Sequence, residues 1–240
     1  MDTNGGLIAI GIILLAALVH ASLQIALGSL LVLFHANLAD KSDNKARIST
    51  RCRTLASHYT CGAYIIISLF VSSIAFFIST LLNGGLSKNA LLIIAALLLA
   101  LGVIAWLFYY KTGRTTELWI PRKLARYINT RAKRVTSSFE AFSLGLLAVF
   151  AEMPFAFLLM TVAADSLLIL PFYIQPAVVF IYTFIAVAPL EFMRFAIKNG
   201  QTIVDIQKWR VRNKLFLKFI TGQLFITLAI VVLIWRVIAQ

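Results

Sequence analysis

Residues 90–110 read ALLIIAALLLALGVIAWLFYY, twenty-one positions without a single charge. As a helix, such a segment rises about 30 Å, the thickness of the hydrocarbon core of a bilayer. It is apolar on every side, so it has no polar face to turn to water, and it reads as a membrane span.

Working outward, comparable apolar runs occupy 7–36, 55–82, 139–164, 174–195 and 215–238. With 90–110 they predict an all-α, polytopic membrane protein of six transmembrane helices. Composition agrees: 61% of the 240 residues are hydrophobic and 13% are charged, against about 25% charged in soluble domains. The first run is longer than a bilayer requires, so it is expected to tilt, to project, or to break near Gly28. The opening Met1-Asp2-Thr3-Asn4-Gly5-Gly6 has no basic residue and precedes a run too long for a signal peptide, so it predicts a retained helix.

The net charge of +13 would suggest nucleic acid in a soluble protein. Here topology accounts for it. Segments 36–54, 111–138 and 194–218 hold twenty of the 22 basic residues, leaving Lys88 in the second loop and Arg236 at the end of the sixth span. Positive charge resists translocation, so these three loops are expected on the cytoplasmic side of the plasma membrane, the inner membrane of a bacterial cell, with both termini outside. No nucleic-acid partner is expected. The layout suggests one membrane domain over 1–240, with a half at 7–110, a basic loop at 111–138 and a half at 139–238 in the opposite orientation. Such a 3+3 inverted repeat is common in transporters, whose sites lie near the midplane where the halves meet.

Within the long loop, Ile120, Leu124, Tyr127 and Ile128 recur at helical spacing among Arg122, Lys123 and Arg126. An amphipathic helix lying on anionic lipids is expected, with Trp119 as its interfacial anchor. Docking of a partner protein is the alternative.

An ionisable group in hydrocarbon costs at least about 2.5 kcal/mol on insertion scales, so the depth of the nine acidic residues ranks them. Asp2, Asp40, Asp43, Glu117, Asp165 and Asp205 fall in loops or at span ends, where water is expected to solvate them. Glu140 completes a capping box with Ser137 at the start of span four. Glu191 precedes Arg194 by three positions, the spacing of an ion pair at the end of span five.

Glu152 is different, because it lies thirteen residues beyond Phe139, about 20 Å into the membrane. Ala141, Gly145, Ala148, Ala156 and Ala163 share its helix face, and a small-residue face admits a neighbouring helix. Glu152 is therefore expected to point at protein. Pro154, two residues on, removes a backbone donor from the Phe150 carbonyl and is expected to kink the span there. In span one, His20, Gln24, Gly28 and His35 fall on a single face. His20 and Gln24 are placed to meet Glu152 or a ligand, and histidine exchanges protons in the physiological range. His35 is expected at the interface.

Ser68, Ser72, Ser79 and Cys61 share a face of span two, and Gln223 and Thr227 lie one turn apart in span six, patterns that serve helix–helix hydrogen bonding. Span three, nearly without polar residues, should face lipid most. Cys52 and Cys61 do not form a CxxC pair, and no structural disulfide is expected.

Six spans with outside termini and a fourth span reading Phe142-Ser143-Leu144-Gly145-Leu146-Leu147-Ala148-Val149-Phe150-Ala151-Glu152-Met153-Pro154-Phe155 resemble the lysine exporter superfamily. That superfamily comprises small exporters of amino acids and metal ions; span one here lacks the proline-rich break of the amino-acid exporters, so the resemblance implies an exporter and no particular substrate. The same superfamily includes membrane thiol carriers with a Pro-Cys pair in spans one and four. Here Phe155 follows Pro154, and span one contains neither Pro nor Cys, so thiol chemistry does not carry over.

No HExxH, GxSxG, P-loop or clustered metal-ligand spacing occurs, and neither an enzyme activity nor a cofactor or metal is expected. The expected function is secondary transport, an exporter of a small solute or ion. Glu152 would be its proton or cation site, with Pro154, Gln24 and His20 beside it. The alternative is a non-transporting scaffold or accessory subunit that docks partners through its basic loops, with an intramembrane lipid-phosphate enzyme ranked below both. A water-reachable polar cavity around Glu152 would favour transport, and a dry, fully packed Glu152 would favour the scaffold.

Overall fold

The computed structural model describes residues 3–23, 25–38, 45–108, 122–198 and 203–238. Among them every regular element is helical: α1 (Thr3–Ala21), α2 (Ile25–Leu38), α3 (Lys45–Leu81), α4 (Lys88–Phe108), α5 (Arg122–Arg134), α6 (Ser138–Leu167), α7 (Gln175–Lys198), α8 (Ile203–Arg212) and α9 (Lys214–Val232). Residues Leu233–Ile238 continue α9 as a π-helical turn. Five segments, Thr50–Leu81, Lys88–Leu107, Ser138–Leu167, Gln175–Ala196 and Lys214–Arg236, are long and apolar enough to cross a bilayer. The chain is a helical integral membrane protein.

The first apolar run is not one helix. It divides into α1 and α2, each too short for the length that marks the other five. The division falls four residues before Gly28, with Ser22 at the end of α1. Its hydroxyl donates to the Val19 carbonyl at 2.6 Å, its amide to the carbonyls of Leu18 and Val19, and the Leu23 amide to the His20 carbonyl at 2.9 Å. A serine that satisfies backbone acceptors locally competes with helix continuation.

Helix α6 forms the centre. It begins at the expected capping box, the Ser137 hydroxyl accepting from the Glu140 amide while the Glu140 carboxylate accepts from the Ser137 amide. It then runs unbroken through Pro154 to Leu167. The proline at which a kink is expected thus leaves the helix uninterrupted. The small-residue face performs as expected: Ala141, Gly145, Ala148, Ala156 and Ala163 are all buried. Against it lies α3, so close that a Cβ on Gly145 would collide with the Tyr59 carbonyl and one on Gly62 with the Phe142 carbonyl. Gly102 of α4 and Gly222 of α9 make a similar approach, a Cβ on Gly222 running into the Trp106 indole. Lipid tails are as apolar as leucine, so close packing of this kind, rather than escape from water, holds membrane helices together.

Helix α1 packs against α6, α7 and α9, and α2 against α3, α5 and α6. Helix α4 rests on α9 and is the least buried of the five long helices, as its featureless sequence leads one to expect. A tight turn between α3 and α4 uses two successive left-handed residues, Asn83 (φ 53°) and Gly84 (φ 92°), the types that tolerate this conformation best.

The amphipathic helix of the long loop exists as α5, and its apolar face is covered by the protein's own α2 and α6. Its buried stripe is Ile128, Ala132 and, just past its end, Val135, whereas Tyr127 is exposed and lies off the stripe. Asn37 near the end of α2 donates to the Val135 carbonyl at 3.4 Å, tying the two helices together. Arg126, Arg131, Lys133 and Arg134 face outward.

Candidate functional site

Glu152 occupies the midpoint of α6, about 21 Å along the axis from Ser138, and is 4% exposed. His20, in the last turn of α1, is equally buried. The two meet as expected from their faces: His20 Nε2 stands 3.7 Å from Glu152 Oε2. That separation is ion-pair range and longer than a hydrogen bond, and Nε2 makes no hydrogen bond. The other ring nitrogen, Nδ1, is 3.0 Å from the hydroxyl of Tyr182 on α7. Three helices thus converge through their side chains at mid-depth.

Neutral His20 with its proton on Nε2 accepts from the tyrosine at Nδ1 and turns an N–H toward the carboxylate. As the imidazolium, it donates from both nitrogens. Either state fits the contact of Nδ1 with the Tyr182 hydroxyl.

A second buried hydroxyl pair lies beside it. Tyr59 of α3 and Ser29 of α2 are 2.5 Å apart, oxygen to oxygen, and Glu152 is close enough to Tyr59 to act on it electrostatically. Tyr59 and Tyr182 are both fully buried, and neither was singled out in the sequence. Tyrosine hydroxyls buried in a membrane need partners, but their spacing alone does not distinguish them from the interfacial tyrosines.

Beside His20 and Glu152 is a cavity of about 20 Å³, whose other walls are apolar, Leu23, Leu27, Ile67 and Pro189 among them. That volume accommodates roughly one water molecule. Pro154 is close in sequence but not at the cavity. Its ring is exposed on the outer side of α6, so its contribution to the site is confined to the donor missing at the Phe150 carbonyl. His35 is exposed near the end of α2, in keeping with an interfacial position.

Gln24 and Trp119 lie outside the described residues, as do the side chains of Arg122 and Lys123, while Arg126 is exposed on α5. No group of three or more histidine, cysteine or acidic residues stands close enough to hold a metal among the described residues. Cys52 and Cys61 are both unpaired thiols, the first buried and the second exposed.

Asp165 departs from expectation. It is not solvated at a span end but 1% exposed. Its carboxylate accepts from Arg236 through Nη2 and through Nε at 3.0 Å, and from the Leu86 amide at 2.8 Å. This cluster ties the end of α6, the α3–α4 turn and the C-terminal π-helical turn together. Charge distribution carried a signal for it: Arg236 and Lys88 are the only basic residues outside the three basic segments, and a lone cation at a span end needs an acidic partner. Glu191 and Arg194 pair as expected at 3.0 Å, and Arg194 also donates to Ser57 of α3 at 3.1 Å. Ser68 reaches Thr183 of α7 at 3.1 Å, whereas Ser72, Ser79 and Cys61 on the same helix are exposed.

Comparison with known proteins finds no match: no family model, no curated protein and no solved structure resembles the chain closely enough to align with it.

Proposed function

We propose that the protein is a small secondary transporter, an exporter of a small solute or ion related in plan to the lysine exporter superfamily, with Glu152 as its proton or cation site. The observation that carries this reading is the contact of His20 with Glu152 at 3.7 Å, both side chains buried at mid-depth beside a small cavity. Ionisable side chains are costly at that depth and mark ion paths and proton relays in membrane proteins. The cavity is small and mostly apolar, less than the water-reachable polar cavity that would favour transport by itself, so the reading rests on the His20–Glu152 contact. The break between α1 and α2 and the proline at 189 in α7 give the walls of the cavity places to bend.

In this reading α1 and α2 together form a broken first crossing, which makes six. Support comes from their partners: His20 at the end of α1 meets the midpoint of α6, while α2 proceeds from there to α5 and α8. Discontinuous helices at the midplane are characteristic of transporter sites. The same reading arranges the six crossings as a 3+3 repeat around the close contact of α3 with α6. The basic loops then face the cytoplasm, and the termini lie outside the plasma membrane.

The test is counterflow into proteoliposomes with a panel of amino acids and divalent cations under an imposed pH gradient, internal pH being followed with a trapped dye. Wild-type protein should carry at least one substrate with proton movement, and Glu152→Gln should abolish the coupling. Transport by Glu152→Gln that equals wild type at every pH removes Glu152 from the mechanism. Wild-type protein that carries nothing in the panel and moves no protons favours the scaffold instead.

A further inference from the structure

A groove of about 600 Å³ runs between α5 and the first three turns of α6. It is away from the His20–Glu152 site and plays no part in the proposed transport step. Arg131 and Arg134 of α5 stand on one wall, and Phe139, Ser143, Leu144 and Leu147 of α6 line the other. Arg131 is held in place: its Nε donates to the Tyr127 hydroxyl at 3.3 Å, and its guanidinium lies 5.9 Å from the centre of the same ring. With Nε so engaged, both Nη amino groups are available for the paired hydrogen bonds that guanidinium makes to phosphate oxygens.

The groove also contains Glu140, which would repel an anion. Its Oε2 is committed to the amides of Thr136 and Ser137 at 2.9 and 3.2 Å and to the Thr136 hydroxyl. Two guanidiniums against one capped carboxylate leave the mouth of the groove net positive, and exposed Lys133 adds to the field beside it.

Below the arginines the chemistry changes. Phe139, Ser143, Leu147, Phe150 and Phe157 follow one another along the outer side of α6 at helical spacing. The three phenylalanines are each more than half exposed. This apolar track begins at the groove and descends along a helix long and apolar enough to span the bilayer. A soluble phosphate would use only the mouth. A ligand with an anionic head and a long hydrocarbon tail would use both.

We infer that this groove is a binding site for one anionic phospholipid, the phosphate between Arg131 and Arg134 and an acyl chain along Phe139, Leu147 and Phe150. The apolar face of α5 is already covered by α2 and α6, so the helix contributes a fixed wall of charge rather than dissolving in the leaflet itself.

The test is native mass spectrometry of the full-length protein in detergent, offered equal amounts of phosphatidylglycerol and phosphatidylcholine. Wild-type protein should retain one phosphatidylglycerol in preference. The double variant Arg131→Gln/Arg134→Gln should lose that preference by about thirtyfold, roughly a fivefold weakening for each basic residue near the lipid head. Lys208→Gln/Arg212→Gln, which removes two exposed charges on α8, should leave it intact. Phe139→Ser should weaken retention of both lipids while preserving the preference for the anionic one. Equal loss in the α5 and α8 double variants would mean a diffuse basic surface and overturn the site. So would full retention in Arg131→Gln/Arg134→Gln, or complete displacement of the lipid by excess inorganic phosphate, which would make the ligand a soluble anion.

Discussion

At the scale of single residues, the two buried acids among the described residues have different settings. Glu152 faces a histidine at 3.7 Å, whereas Asp165 is bound by Arg236 and the Leu86 amide. The second arrangement is structural, and its loss is expected to be costly. Asp165→Asn should destabilise the protein by about 3–5 kcal/mol, the usual result of leaving one partner of a buried ion pair uncompensated. Asp165→Leu combined with Arg236→Met should recover most of that, short of about 1–3 kcal/mol for the orphaned Leu86 amide. Unfolding by sodium dodecyl sulfate from mixed micelles, followed by circular dichroism, measures both. A double variant no better than Asp165→Asn would show that the charges are not coupled. Glu152 and His20 were legible in the sequence because depth and helical phase are both functions of residue number. Asp165 was misplaced for the same reason: counting from the span end put it in water, but whether a residue at a helix end is covered depends on a segment seventy-one positions away.

Helix boundaries depended on a different kind of information. The five long spans follow from apolar length alone, and the cap at Ser137 from its spacing to Glu140. For the long first run, tilt, projection and a break near Gly28 are all open in the sequence, and the structure has a break, at Ser22, where the hydroxyl finds a nearby carbonyl. A serine that caps itself and one that points across to another helix, such as Ser68 to Thr183, look alike in sequence. Pro154 is the converse case, since the missing donor is tolerated in a helix held by neighbours along its length. The contact of α3 with α6 carries the clearest prediction at this scale. Gly145→Ala puts a methyl group into the Tyr59 carbonyl and forces the helices apart, at an expected cost of about 1–3 kcal/mol from overpacking. Gly62→Ala on the facing helix should cost a similar amount, and Gly11→Ala, whose Cβ would meet nothing within 4 Å, should cost close to none. The same micelle unfolding assay ranks the three, and equal stability for all of them would mean that the helices are not held in this close approach.

For the whole molecule, the decisive quantity for the proposed transport is the number of crossings, because it determines on which side of the membrane each end of a site at His20–Glu152 would open. Helices α1 and α2 together contain thirty-three residues, about 50 Å of helix if laid end to end. That is ample for one broken crossing, and too short for two crossings of a hydrocarbon core about 30 Å thick. A broken crossing puts Thr3 on the same side as Lys88 and opposite Lys133. A re-entrant hairpin, in which α2 returns to the side where α1 began, puts Thr3 on the side of Lys133. Single cysteines distinguish these once the native thiols are removed by Cys52→Ala and Cys61→Ser. In intact cells, a membrane-impermeant maleimide should label Thr3→Cys and Lys88→Cys, while Lys133→Cys and Lys208→Cys should react only after permeabilisation. Labelling of Thr3→Cys only after permeabilisation would leave five crossings and remove the inverted repeat. It would also put both ends of the α1–α2 break on one side of the membrane, and a site entered from a single side cannot alternate its access.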